Sequence, residues 1–105
     1  MKQLTPQQVK ERLNAGEKLT IIDVRNAWEV QAAQVDGTLH IEMDEIPDAL
    51  DRIPRDHPVV IMCHSGGRSA AVTNWLTFQG FENVYNLVGG IDRWSVEVDP
   101  SVPRY

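Results

Sequence analysis

The residues best suited to chemistry stand together in one run, Cys63-His64-Ser65-Gly66-Gly67-Arg68-Ser69. Cys63 is the single cysteine, so it has no intramolecular disulfide partner and is a poor start for a structural zinc site. That leaves an inert buried thiol or a nucleophile. Its neighbours bear on the choice. The run follows an apolar segment, Pro58-Val59-Val60-Ile61-Met62, and precedes a helical pattern. Gly66 and Gly67 let backbone amides approach a ligand, and a helix start adds N–H groups with partial positive charge. Together these make an anion cradle, in which a thiol ionises more readily than a free cysteine of pKa ~8.5. Arg68 places a fixed positive charge at the far edge. The same residues also fit a plain strand-to-helix turn with Arg68 paired to a surface carboxylate, and at this point both readings stay open.

The elements that must hold this loop alternate along the chain. Thr5, Pro6 and Gln8 form a helix start with a capping box, Leu4 can staple onto Val9, Val9 and Leu13 share a face, and Gly16 ends the helix. Leu19 to Val24 reads as a strand and Ala27 to Ala33 as a short helix. Thr38 to Ile41 reads as a brief strand after the Asp36-Gly37 turn. Asp44 to Ile53 reads as a helix with Ile46, Leu50 and Ile53 on one stripe and Pro47 near its start. Pro58 to Met62 is the clearest strand, continuously apolar as in a parallel strand buried on both faces. Ser69 to Gln79 reads as a helix with Val72, Trp75 and Leu76 inward, Asn83 to Leu87 as a strand, and Ile91 to about Glu97 as a last helix. Trp75 and Trp94 are expected as core anchors, and Asp99 to Tyr105 as an extended surface segment. Strands alternating with helices predict an α/β fold with a small central parallel sheet and helices on both faces. Ligands of such sheets bind beyond the carboxyl ends of the strands, where Cys63 falls.

Bulk properties narrow the function classes. A length of 105 residues, 42% apolar, suits one domain over residues 1–105. A net charge of −5 with no basic block gives no electrostatic reason to bind nucleic acid. No apolar run approaches the roughly 18 residues of a membrane helix, and the first residues lack a signal-peptide core. The expectation is a cytoplasmic protein that contacts no membrane and is a monomer. His40 and His57 have no metal-ligand spacing with Cys63, so no metal is expected.

Three segments resemble the rhodanese-like family. The loop is similar to its Cys-x-x-Gly-x-Arg-Ser active-site motif. Ile22-Asp23-Val24-Arg25 followed by Glu29 resembles its Asp-Val-Arg-x-x-x-Glu segment. Leu87 to Trp94 resembles its Gly-Gly-x-x-x-Trp segment. The motifs stand in the family's order and cover most of the chain, and the ending Asp99 to Tyr105 resembles that of some bacterial members. The chain departs at Ala33-Gln34-Val35-Asp36-Gly37-Thr38, where the family often has Gly-His-Ile-x-Gly-Ala, a difference that touches local geometry more than activity.

The resemblance implies a rhodanese-like fold and a sulfurtransferase without a cofactor. Cys63 is then the nucleophile that takes a sulfane sulfur from thiosulfate or another persulfide donor and passes it to cyanide or a thiol, in ping-pong fashion. A protein sulfur-relay partner is a further possibility. His64, Ser65, Gly66, Gly67, Arg68 and Ser69 are the expected substrate-binding residues. The amides from His64 to Ser69 would hold the persulfide anion and Arg68 the donor. His64 and Ser65 could instead be variable loop positions. Asp23, Arg25 and Glu29 are expected as a supporting network, with Arg25 and Glu29 spaced for an ion pair. Two alternatives remain: a binding or sulfur-relay module, of which the non-catalytic binding form is argued against by the intact loop, and a cysteine phosphatase or arsenate reductase, whose cradle has a longer loop than the four residues between Cys63 and Arg68.

Overall fold

The computed structural model describes residues 1–105. Its strands are β1 (Gln3–Leu4), β2 (Thr20–Asp23), β3 (Leu39–His40), β4 (Val59–Met62) and β5 (Val84–Leu87). Its helices are α1 (Pro6–Asn14), α2 (Ala27–Ala32), α3 (Gly67–Phe78) and α4 (Gly90–Glu97). The strands form one parallel sheet in the order β1-β5-β4-β2-β3.

β4 lies at the centre of the sheet, and its apolar run follows from burial on both faces. Val59, Ile61 and Cys63 point into a core with Ile22, Val24, Val72, Leu76 and Phe81. Val60 and Met62 point into a second core with Leu4, Val9, Ile21, Leu87, Ile91 and Trp94. Successive residues of a strand face opposite sides, so a strand covered twice needs apolar residues at every position. The capping box of α1 is present: the Thr5 amide donates to Gln8 Oε1 at 2.9 Å and the Gln8 amide to Thr5 Oγ1 at 3.2 Å.

The structure corrects several expectations. Asp44 to Ile53 is not one helix but two 3-10 turns, Met43–Asp48 and Leu50–Arg52. Pro47 lies within the first, where it has no N–H to donate and its ring opposes an α-helical turn. Trp75 stands at the edge of the core and is over one-third exposed, because Val72, Thr73 and Leu76 define the inward face of α3. Strand β1 was not expected; two residues carry too little pattern to show. The segment Asp99 to Tyr105 does not simply run over the surface. Val102 is buried in the second core, its carbonyl accepts from Ser95 Oγ at 2.5 Å, and Arg104 pairs with Asp92.

Candidate active site

Cys63 follows β4 directly, and Gly66 caps α3, so the loop spans from a strand end to a helix start. Gly66 takes φ 112°, a left-handed conformation that turns the chain into α3, and its amide donates to Cys63 Sγ at 3.0 Å. The thiol is buried, which by itself raises its pKa. The Ser69 hydroxyl and the amides of Ser69, Gly66 and Ser65 outweigh burial, and the net pKa is lowered.

A second glycine braces the loop from outside. Gly90 opens α4 with φ 60°, and the amides of Ile91 and Asp92 donate to the carbonyls of Cys63 and His64 at 2.9 and 3.1 Å. A Cβ on Gly90 would lie 2.5 Å from both carbonyl oxygens. The glycine pair after β5 therefore serves the loop after β4 by letting one backbone dock on another.

Ser69, at the start of α3, is fully buried. Its Oγ lies 3.3 Å from Cys63 Sγ and 2.5 Å from Asn86 Oδ1. The hydroxyl has one proton. With a neutral thiol it goes to Asn86, the shorter contact, and Ser69 accepts from S–H. Once the sulfur is ionised, rotation can give that proton to the thiolate. Asn86 was not anticipated, although a buried amide in an otherwise apolar strand was a signal.

Asp23, Arg25 and Glu29 are buried and joined as a network, but not with the expected pairing. The Arg25 guanidinium binds the Asp23 carboxylate through Nε and Nη2, the latter at 2.7 Å. Toward residue 29 it donates only to the backbone carbonyl, at 3.2 Å. The Glu29 carboxylate is used elsewhere. It accepts from the Asn26 amide at the start of α2 and from Arg68 Nη1 and Nη2 at 2.6 and 2.8 Å. Arg68 and its other hydrogen bonds hold Glu29 at a pKa of about 2, against the pull of burial. Arg68 itself is about one-third exposed. A guanidinium has five N–H donors, so two spent on Glu29 leave Nε and the outer hydrogens of both Nη groups for another acceptor.

Tyr105 is the residue sequence reasoning missed; nothing in its surroundings in the chain marks it. Its hydroxyl donates to Glu29 Oε2 at 2.7 Å and accepts from Arg25 Nη1 at 2.9 Å. Burial raises the pKa of this phenol, Arg25 opposes the rise and Glu29 adds to it, so the phenol keeps its proton. Its ring stacks on His64 with centroids 4.2 Å apart and meets Trp28 edge-on at 5.9 Å. The structure thus gathers Cys63, His64, Gly66, Arg68 and Ser69 with the buried polar network beyond the carboxyl ends of the central strands β2 and β4. Ser65 and Gly67 lie on the exposed side of the same loop. His40 and His57 lie apart from the sulfur, hydrogen-bonded to the Arg25 carbonyl and to Thr20.

The profile of the rhodanese-like domain matches residues 5–97. The thiosulfate sulfurtransferase GlpE of Tolumonas auensis is 36% identical over 74 residues, 70% of each chain. A sulfurtransferase of Allochromatium vinosum is 33% identical over 93 residues, 89% of this chain and 87% of that one. Another relative, 38% identical over 89 residues, is longer, and the chain spans 30% of it. Among solved structures, a rhodanese-like domain protein from Staphylococcus aureus superimposes with a TM-score of 0.86 at 30% identity, covering 100% of this chain and 99% of that one.

Proposed function

Because the chain belongs to the rhodanese-like family of sulfurtransferases, we propose that residues 1–105 act as one domain that moves a sulfane sulfur from thiosulfate to a thiophilic acceptor through a persulfide on Cys63. The observation that carries this reading is the sulfur's setting: Cys63 Sγ takes the Gly66 amide at 3.0 Å and stands beside the Ser69 hydroxyl. Donors fixed around a sulfur favour its anionic state, and the same donors serve a persulfide whose negative charge sits on the outer sulfur.

In the first half-reaction the Cys63 thiolate attacks the outer sulfur of thiosulfate. A new S–S bond forms to Cys63 as the S–S bond of thiosulfate breaks. Sulfite leaves with the bonding pair, and the enzyme keeps one negative charge as Cys-S-S⁻. Arg68 has N–H donors free of Glu29 to hold the departing sulfonate. In the second half-reaction cyanide, or a thiolate, attacks the outer sulfur. The S–S bond breaks toward Cys63 and restores its thiolate, and thiocyanate or a new persulfide leaves. No proton transfer is required in either half when thiosulfate and cyanide are the substrates, so His64 need not act as a base.

Initial rates of thiocyanate formation, measured against thiosulfate at several cyanide concentrations, test this reading. Parallel double-reciprocal lines are expected, since sulfite leaves before cyanide binds. Intersecting lines would require both substrates bound together and would overturn the two-step scheme.

A further inference from the structure

Tyr105 reaches both ends of the loop that carries Cys63, one by direct contact and the other through Glu29. Its ring stacks on His64, immediately after the cysteine. Its hydroxyl donates to the Glu29 oxygen that also binds Arg68 Nη2. The segment bearing it is fastened at two further points, by Val102 buried in the core and by the Arg104–Asp92 ion pair. Glu29 is buried with both oxygens fully engaged, two partners each: Asn26 and Arg68 on Oε1, Tyr105 and Arg68 on Oε2. A carboxylate held at four points presents a guanidinium in one orientation, whereas one freed of a partner can rotate and carry the guanidinium with it. Arg25 also loses an acceptor if the hydroxyl is removed.

We propose that Tyr105 is the positioning residue for Arg68: by completing the shell of Glu29 it aims the free N–H edge of Arg68 at the anionic group of a ligand approaching Cys63. This deepens the sulfur-transfer reading, on which it rests for the identity of that ligand as an oxyanion-bearing sulfur donor. Tyr105 does not touch the donor; it acts through Glu29.

The test needs no sulfur transfer. Iodoacetate and iodoacetamide have similar shapes and differ in charge, and in both cases the Cys63 thiolate displaces iodide. Any change in the ionisation or access of Cys63 alters both rates alike and cancels in their ratio. The ratio of iodoacetate to iodoacetamide rates therefore reads the presentation of an anion at Cys63. Arg68→Gln is expected to lower it, and Tyr105→Phe, which keeps the ring on His64, to lower it by about three- to tenfold, the worth of one hydrogen bond. A Tyr105→Phe ratio equal to that of the parent overturns the proposal, as does an Arg68→Gln ratio equal to the parent's. Because alkylation proceeds whether or not the protein accepts sulfur from thiosulfate, failure of this inference is distinguishable from failure of the proposed activity.

Discussion

At the scale of single residues, the chemistry turns on which state of Cys63 its neighbours prefer. Burial favours the neutral thiol, and the Ser69 hydroxyl with three backbone amides reverses that preference. The amides belong to the backbone and survive any substitution but proline, while the hydroxyl is lost with the Ser69 side chain. In Ser69→Ala the thiol pKa is therefore expected to rise, moving the acid limb of kcat/KM for thiosulfate to higher pH and lowering the neutral-pH rate by about three- to tenfold. Thiolate absorbance against pH checks the ionisation directly. Glu29 offers a second test, in stability. Its pKa falls from 4.5 to about 2 on folding, so its contribution is fully present above pH 4.5 and is lost as pH falls toward 2. Glu29→Gln is expected to cost about 2 kcal/mol at neutral pH, allowing for the solvent around Arg68, and the difference should shrink below pH 4.5. Denaturant unfolding of both proteins across that range reads it. The loop motif was legible because Cys, Gly and Arg at fixed spacing carry their chemistry in their type. The partners of Glu29 were not. Spacing of four offered Arg25, but the Glu29 side chain turns back to the Asn26 amide and across to Arg68, 39 residues away in sequence.

At the scale of elements, the active loop depends on a turn that does not contain it. The amides opening α4 hold the Cys63 and His64 carbonyls, and Gly90 permits that approach. Gly90→Ala adds a Cβ against two carbonyl oxygens in a left-handed backbone, so a loss of about 2 kcal/mol or more is expected together with weakened sulfur transfer. Gly67→Ala is the contrasting case. It lies in the same loop as the cysteine, yet its Cβ would meet nothing within 4 Å. Its stability is expected to stay within about 0.5 kcal/mol of the parent. Melting temperatures of the two variants separate these glycines, which look equivalent in the sequence. The long helices and central strands were legible because each carries its periodicity over several residues. The two 3-10 turns were misread as one helix, since Ile46 and Ile53 are both buried and so imitate a helical stripe. The Asp99–Tyr105 segment was misread as surface because docking by Val102 and Tyr105 depends on surfaces supplied by α4 and the loop.

At the scale of the whole molecule, one sheet serves two cores, and β4 contributes to both. A strand shared in this way should couple them, so the molecule is expected to unfold in a single transition. Leu76→Ala on one side and Leu87→Ala on the other should each cost about 2–5 kcal/mol without splitting that transition, and calorimetry checks both the size and the shape. This architecture was the most legible feature of all, because doubly covered parallel strands require continuous apolar runs, and such runs are visible without coordinates. It also brings the carboxyl ends of β2 and β4 side by side, with Asp23 beside Met62, so the segment bearing Asp23 and Arg25 ends next to the one bearing Cys63 although the two motifs are far apart in the chain. On the proposed mechanism, this junction stores sulfur on Cys63. Intact mass spectrometry after thiosulfate treatment tests it most directly. The parent protein should gain the mass of one sulfur atom and lose it to cyanide with release of thiocyanate, and Cys63→Ser should gain none. A parent protein that gains no sulfur while Cys63 is reduced and open to alkylation, or a Cys63→Ser variant that gains it, would contradict the claim.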